Sequence, residues 1–275
     1  MSELVRSPMS VDDVLVECNA SGVMTITLNR PARKNAMLPT MWAQLRHALD
    51  AAERDPTVRL VVLRGAGHDF CSGADVKKPL GGSGPGDLSY EELLDAVKAC
   101  VLRLHGLDRP TVAAVDGAAV GGGFNLALAC DIVIATDRAR FSQIFVQRGL
   151  AVDTGGSWLL QRAVGLARAK QLVLSAATLT AADAARLGIV HQVVAPELLS
   201  AAVDETVSVV LRGSAAALTA SKRLLNDAVE HDLEGALDAE ARTQLELVAR
   251  PEFMARMRSF VKKADRPDAS GTISK

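Results

Sequence analysis

The sequence predicts an α/β fold that passes into a helical second part. Short apolar runs rich in β-branched residues alternate with segments of helical period through the first half. Each run ends in Gly, Pro or Asn turn chemistry, and beyond Gly155 the segments become Ala-rich and periodic at 3.6 residues.

Val23 to Leu28 (VMTITL) alternates apolar residues with threonine as a strand does, and Asn29-Arg30-Pro31 stops it. Pro39 suits a first helical position, and Trp42, Leu45 and Leu49 continue a helical period. Arg59 to Leu63 (RLVVL) reads as a buried strand that ends in Gly65-Ala66-Gly67. Leu80 to Asp87 (LGGSGPGD) is read as a mobile surface loop, since Gly and Pro leave little that packs. A helix over Glu91 to Leu104, a strand over Thr111 to Val115, a small-residue helix opened by Gly121-Gly122-Gly123 and a strand over Ile132 to Ala135 repeat the alternation. The remainder is expected to be almost entirely helical. One start is marked there by Thr180 and Asp183, a TxxD capping box. No repeat period of about 20 to 50 residues recurs.

Composition narrows the function classes. With 31 basic and 32 acidic residues the net charge is −1, and aromatics make up 3% of the chain, which argues against a nucleic-acid partner. A 49% hydrophobic fraction suffices for a sizeable core. The longest weakly charged stretch, Pro110 to Cys130, is broken by Asp116 and glycines and makes a poor membrane span. MSELVRSPMSVDD lacks an apolar signal core and no lipidation motif closes the sequence, so a cytoplasmic protein with no membrane partner is expected. Cys18, Cys71, Cys100 and Cys130 form no CxxC, and the histidines His47, His68, His105, His191 and His231 form no HxxxH. Reduced thiols and no metal site are expected. The glycine-rich strings complete neither a phosphate-loop GxxxxGK, nor GxGxxG, nor the GxSxG of serine hydrolases.

Three strings stand in order: GAGHDFCSGAD (Gly65 to Asp75), DGAAVGGGFNLALACD (Asp116 to Asp131) and FSQIFVQRGLAVDTGGSWLLQRAVG (Phe141 to Gly165). Together they resemble the crotonase, or enoyl-CoA hydratase/isomerase, family. LNRPARKNAM (Leu28 to Met37) and AARLGIVHQVV (Ala184 to Val194) extend the resemblance to roughly residues 12 to 264. It implies a crotonase (ClpP-like) spiral of ββα units over residues 1–195. A C-terminal helical region, 196–275, would serve trimerisation and reach the mouth of the CoA pocket. Homotrimers, or hexamers built as dimers of trimers, are implied. The substrate would be an acyl-CoA thioester, with no cofactor beyond its CoA moiety.

The chemistry such a site needs is an oxyanion hole, two backbone N–H groups aimed at one thioester oxygen as it gains charge. Small residues permit that approach, and the helix opened by the glycines adds its partial positive end. In the family the donors are the Ala of the SGAD-type turn and the middle Gly of the triple, which fall at Ala74 and Gly122. The two glutamates with which the family's hydratases add water are both replaced, by Asn125 after GGGF and by Phe145 in SQIF. Asn orients a water without taking its proton, and Phe does neither. Asp153 in GLAVDTGG stands where isomerising members carry an aspartate. Beside Phe145, Val152 and Trp158, desolvation would raise its pKa and suit it to carrying a proton. The same residue, just before Thr-Gly-Gly-Ser-Trp, also suits a helix N-cap.

For CoA the resemblance offers Lys77, just past SGAD, and Phe260, Lys262 and Lys263 of SFVKKADRP, a segment that reaches the adenine end, often from a neighbouring subunit, with Arg33 and Lys34 as further cations. Gln143 and Gln147 stay unassigned, His68 and Asp69 read as a solvated loop, and Asp131 reads as structural. The expected activity is enoyl-CoA double-bond isomerisation by Asp153. A hydratase with an atypical site, and a non-catalytic acyl-CoA-binding homologue, are the alternatives.

Overall fold

The computed structural model describes residues 13–76 and 88–264, with the side chains of 260–264 outside the description. Strand β1 (Val14–Cys18) turns back into β2 (Val23–Leu28), and α1 (Pro39–Arg54) carries the chain to β3 (Leu60–Gly65). Helix α2 (Tyr90–His105) returns it to β4 (Thr111–Val115), followed by β5 (Ala118–Val120), α3 (Gly122–Leu128) and β6 (Ile132–Thr136). Then come β7 (Arg140–Ser142), α4 (Gly156–Val164), α5 (Leu166–Ser175), β8 (Thr178–Thr180), α6 (Ala181–Arg186), β9 (Gln192–Val194) and α7 (Leu199–Leu211). Helices α8 (Ala215–Asp227), α9 (Leu233–Val248) and α10 (Pro251–Ala264) follow. The chain divides into two compact units, Met1–Arg212 and Gly213–Lys275, so that α7 groups with the sheets before it.

The main sheet runs β1-β2-β3-β4-β6-β9, antiparallel at β1–β2 and parallel elsewhere. Parallel neighbours need crossovers, and the helices supply them. Strand β4 (TVAAV) is buried at every position because both faces of the sheet are covered there. On one face Trp42, Leu45 and Leu49 of α1 and Leu93, Val97 and Leu104 of α2 join the larger core. On the other, Val203 and Val207 of α7 meet Val112, Ala114 and Ile134. The smaller sheet runs β5-β7-β8.

A spiral emerges from how these pieces stack. After β2, β3, β4 and β6 the chain makes a short extended segment before its next helix, and successive segments pair in parallel. Met37 pairs with Ala74, Cys71 with Ala119, and β5 with β7. Residues far apart in sequence thus arrive at one level of the molecule.

Two departures from the sequence reading stand out. The region after Gly155 is not uniformly helical, because β8 pairs with β7 and β9 extends the main sheet beside β6. Strands of 3 residues show no period of their own, and their partners lie tens of residues away. Strands β5 and β7, also of 3 residues, carry no period either, and β1 (VLVEC) precedes the first strand the sequence predicts. The capping box at Thr180 and Asp183 forms as expected, with a second at Ser89 and Glu92 opening α2. Among the described residues no helix is long and apolar enough to cross a membrane.

Candidate active site

Three successive turns of the spiral wall a cavity of about 600 Å³ in the first unit. One turn contributes Gly73 and Ala74, the next Gly121 and Gly122, and the one after Phe145, Asp153 and Thr154. Trp42 with Leu93, Leu94 and Val97 completes an apolar wall. A larger cavity, about 970 Å³, opens between the main sheet and α7. None of the residues singled out for catalysis or CoA binding lines it, and its Asp116 is bound by Arg138 and by Thr136 Oγ1.

The two oxyanion candidates lie at places where the spiral leaves a donor over. Met37 N–H donates to Gly73 O across 2.8 Å and Asp75 N–H to Met37 O across 3.0 Å, which skips the N–H of Ala74. Val120 N–H donates to Cys71 O (2.9 Å) and Gly121 N–H to Ser142 O (2.8 Å), and α3 begins with Gly122. Among the described residues, neither the Ala74 nor the Gly122 N–H donates to a protein acceptor. The two turns touch. Gly73 holds φ at 89°, and a Cβ there would sit 2.9 Å from Val120 O and 3.7 Å from Gly122 N, so only glycine permits the approach.

Asp153 lines the same cavity and does not cap α4. The cap is Gly155 with no side-chain bond, and the Asp153 carboxylate instead accepts from Thr154 Oγ1 at 2.6 Å. Burial pushes its carboxyl above the ordinary value, and the Thr154 hydroxyl pulls part of the way back. Of the expected apolar neighbours, Phe145 lines the cavity and is itself buried. Trp158 does not line it, and packs edge-on to His105 with the Arg162 guanidinium over its ring.

Asn125 is fully buried and lies behind the cavity wall rather than on it. Its Nδ2 donates to the backbone carbonyl of Asp153 (2.8 Å), and its Oδ1 accepts from Gln143 Nε2 (2.7 Å). Gln143 is buried too, whereas Gln147 is exposed. Asp131 fastens Thr111, accepting from its N–H (2.7 Å) and hydroxyl (2.9 Å), as befits a structural aspartate.

The CoA-facing candidates separate. Arg33 lines the exposed rim of the cavity, while Lys34 is exposed with Nζ 3.8 Å from Asp69 Oδ1. Lys77 and the segment 80–87 lie outside the described residues. Phe260, Lys262 and Lys263 fall on α10, with side chains outside the description. Arg148 was missed; it stands on the cavity rim in the same 3₁₀ turn as Phe145.

Three further residues, Arg30 and Asn35, to which the sequence assigns no role, and Asp69, shape the site. Arg30 reaches Asp75 of the SGAD turn (Nη2 to Oδ2, 2.9 Å) and donates to Ala36 O. Asn35, fully buried at φ 53°, accepts from Arg30 N–H (2.8 Å) and donates to Ala66 O (2.9 Å) and Asp69 O (2.6 Å). Asp69 is half-buried and accepts from Ala118 N–H (2.9 Å), so it ties two turns together rather than sitting in a solvated loop; His68 beside it is exposed. The string LNRPARKNAM carries Arg30 and Asn35, but side chains whose partners Asp75, Ala66 and Asp69 lie more than 30 residues away leave no local pattern.

Residues 18–267 match the family model for enoyl-CoA hydratase/isomerase. The chain is 39% identical over 223 residues to the 1,2-epoxyphenylacetyl-CoA isomerase of Escherichia coli, covering 80% of this chain and 84% of that protein. It is 31% identical over 262 residues to the short-chain-enoyl-CoA hydratase of Clostridium acetobutylicum, covering 93% and 97%. A crystal structure of a Thermobifida fusca YX protein in complex with acetoacetyl-CoA matches with a TM-score of 0.81 at 36% identity, over 86% of this chain and 95% of that one.

Proposed function

The chain belongs to the enoyl-CoA hydratase/isomerase family and has its crotonase fold, and within that family we propose that it is an enoyl-CoA double-bond isomerase with Asp153 as its single proton carrier. One observation carries the reading: a carboxylate with no cation partner among the described residues shares a cavity with two unpartnered backbone N–H groups. The cavity's other described carboxylate, Asp75, is neutralised by Arg30.

With the thioester oxygen between the N–H groups of Ala74 and Gly122, removal of the C2 proton of a 3-enoyl thioester by Asp153 leaves a dienolate whose charge rests on that oxygen. The electron pair of the broken C–H bond moves into the dienolate. Asp153, now protonated, returns the proton at C4 and the double bond settles between C2 and C3. No water is consumed. The burial that raises the Asp153 pKa brings the acid and base forms closer in energy at working pH, which suits a group that must take and give. Arg33 and Arg148 on the rim offer cations to the CoA phosphates, joined in this proposal by Lys34 and Lys77, with Phe260, Lys262 and Lys263 of a neighbouring subunit at the adenine end. The exposed leucines Leu225, Leu233, Leu237 and Leu245 of the second unit are the surface proposed for assembly into trimers.

Hydration through Asn125 is disfavoured because both ends of its amide are already engaged. The test is product analysis with a panel of 2-enoyl- and 3-enoyl-CoAs. A shifted double bond at unchanged mass supports the isomerase, the mass of one added water supports a hydratase, and binding without turnover across the panel supports a non-catalytic homologue.

A further inference from the structure

Gln143, Asn125 and Asp153 form a chain of hydrogen bonds that can run in one direction only. A backbone carbonyl accepts and never donates, so the Asp153 carbonyl obliges Asn125 to turn its Nδ2 toward it, at 2.8 Å. Asn125 Oδ1 must then face Gln143, and Gln143 must present Nε2, at 2.7 Å. The polarity is kept at a cost. It leaves Gln143 Oε1 buried and without a partner among the described residues, which is destabilising. Reversing the Gln143 amide would set oxygen against oxygen at Asn125, so the demand originates at Asp153.

Two observations show that the surroundings are fitted to this chain. A Cβ at Gly156 would lie 2.5 Å from Asn125 Nδ2 and 2.7 Å from its Oδ1, so a residue without a side chain stands where the amide passes. The carbonyl so held precedes Thr154, a β-branched residue at φ 51°, and such backbone persists only where the surroundings over-determine it. The Gly156 N–H adds a second bond to the same carbonyl at 2.9 Å. Gln143 directly follows Ser142, whose carbonyl receives the Gly121 N–H, so one strand end organises both the glycine turn and the aspartate turn.

We propose that Gln143 is a positioning residue for Asp153: through Asn125 it fixes the Asp153 carbonyl, and thereby the left-handed turn at Thr154 that presents the carboxylate to the cavity. The inference rests on the isomerase reading for its consequence in catalysis, but not for its structural content. Gln143→Met keeps the size and deletes the donor, while Gln143→Glu keeps the shape and reverses the polarity.

The experiment is a carboxyl-carbon NMR titration of aspartate-labelled protein, with the Asp153 signal identified by its loss in Asp153→Asn. It requires no substrate. Gln143→Met is expected to move the Asp153 titration toward the ordinary carboxylate range, as the loosened turn lets water reach the carboxylate; in Gln143→Glu the added carboxylate opposes that shift, so its readout is kcat. With a 3-enoyl-CoA, kcat is expected to fall about tenfold at little-changed KM. Should Gln143→Glu fail to fold, Gln143→Met carries the comparison. An Asp153 titration identical to wild type in folded Gln143→Met would overturn the proposal and leave Gln143 a packing residue, whatever the melting temperatures do. If Asp153→Asn itself turns over thioesters at the wild-type rate, the isomerase reading fails, and the titration still decides the role of Gln143.

Discussion

The Thr154 hydroxyl donates to Oδ1 of Asp153 across 2.6 Å, from a residue held at φ 51°. A hydrogen bond to a carboxylate favours its charged form, and here it works against the burial that dominates the Asp153 environment. Thr154→Val deletes the donor and retains the branched shape. Its Asp153 pKa is expected to rise further, so the acid limb of the kcat/KM profile should move to higher pH. A limb that stays in place would show that the hydroxyl does not sense the carboxylate.

Stability should run opposite to activity at Asp153. Its folded-state pKa is raised, so the folded state holds its proton where the unfolded chain has released it. The burial cost is absent below the unfolded pKa, where both states are protonated, and is complete once pH exceeds the folded value. Asp153→Asn is therefore expected to raise the melting temperature at about pH 7 and to leave it unchanged near about pH 3. Thermal unfolding at the two pH values checks the difference.

Asn35→Ala removes three hydrogen bonds and places an alanine in the left-handed region. Loss of the partners alone leaves buried backbone groups unsatisfied, and the expected destabilisation is about 3 kcal/mol or more by denaturant unfolding. Because Asn35 ties the LNRPARKNAM segment to the turn before SGAD, kcat should fall as well, even though Asn35 lines no part of the cavity.

Phe145→Ala opens the wall beside Asp153. A large-to-small change at this buried site should cost about 3 kcal/mol, less if the cavity's own water fills the space. Better solvation lowers the Asp153 pKa, so the acid limb is expected to move down, opposite to its shift in Thr154→Val. Parallel profiles of the two variants measure both directions against wild type.

Much of this site is legible in the sequence because its backbone chemistry demands particular residues. Close contact between the turns of Ala74 and Gly122 needs glycine at Gly73, and the strings around them bear that mark. The runs of β2, β3, α2, β4 and β6 are long enough to show in the sequence, and their bounds fall within two residues of the expected ones. Short strands such as β8 and β9 were hidden, since 3 residues hold no period and only the fold supplies their partners. Asn125 shows the other limit. Its residue type excluded proton transfer, but its placement behind Asp153 depends on Gly156, Gln143 and the turn between them, none of which is adjacent to it in sequence.

In the proposed mechanism Asp153 carries a proton between two carbons of an enoyl thioester. The most direct test follows deuterium uptake from heavy water into a 3-enoyl-CoA and its 2-enoyl product, with wild type and Asp153→Asn side by side. Incorporation with wild type at C2 or C4 and at unchanged oxygen content, reduced at least about 100-fold in the variant, is the expected result. Equal incorporation by both proteins, or addition of water in place of a shifted double bond, would contradict it.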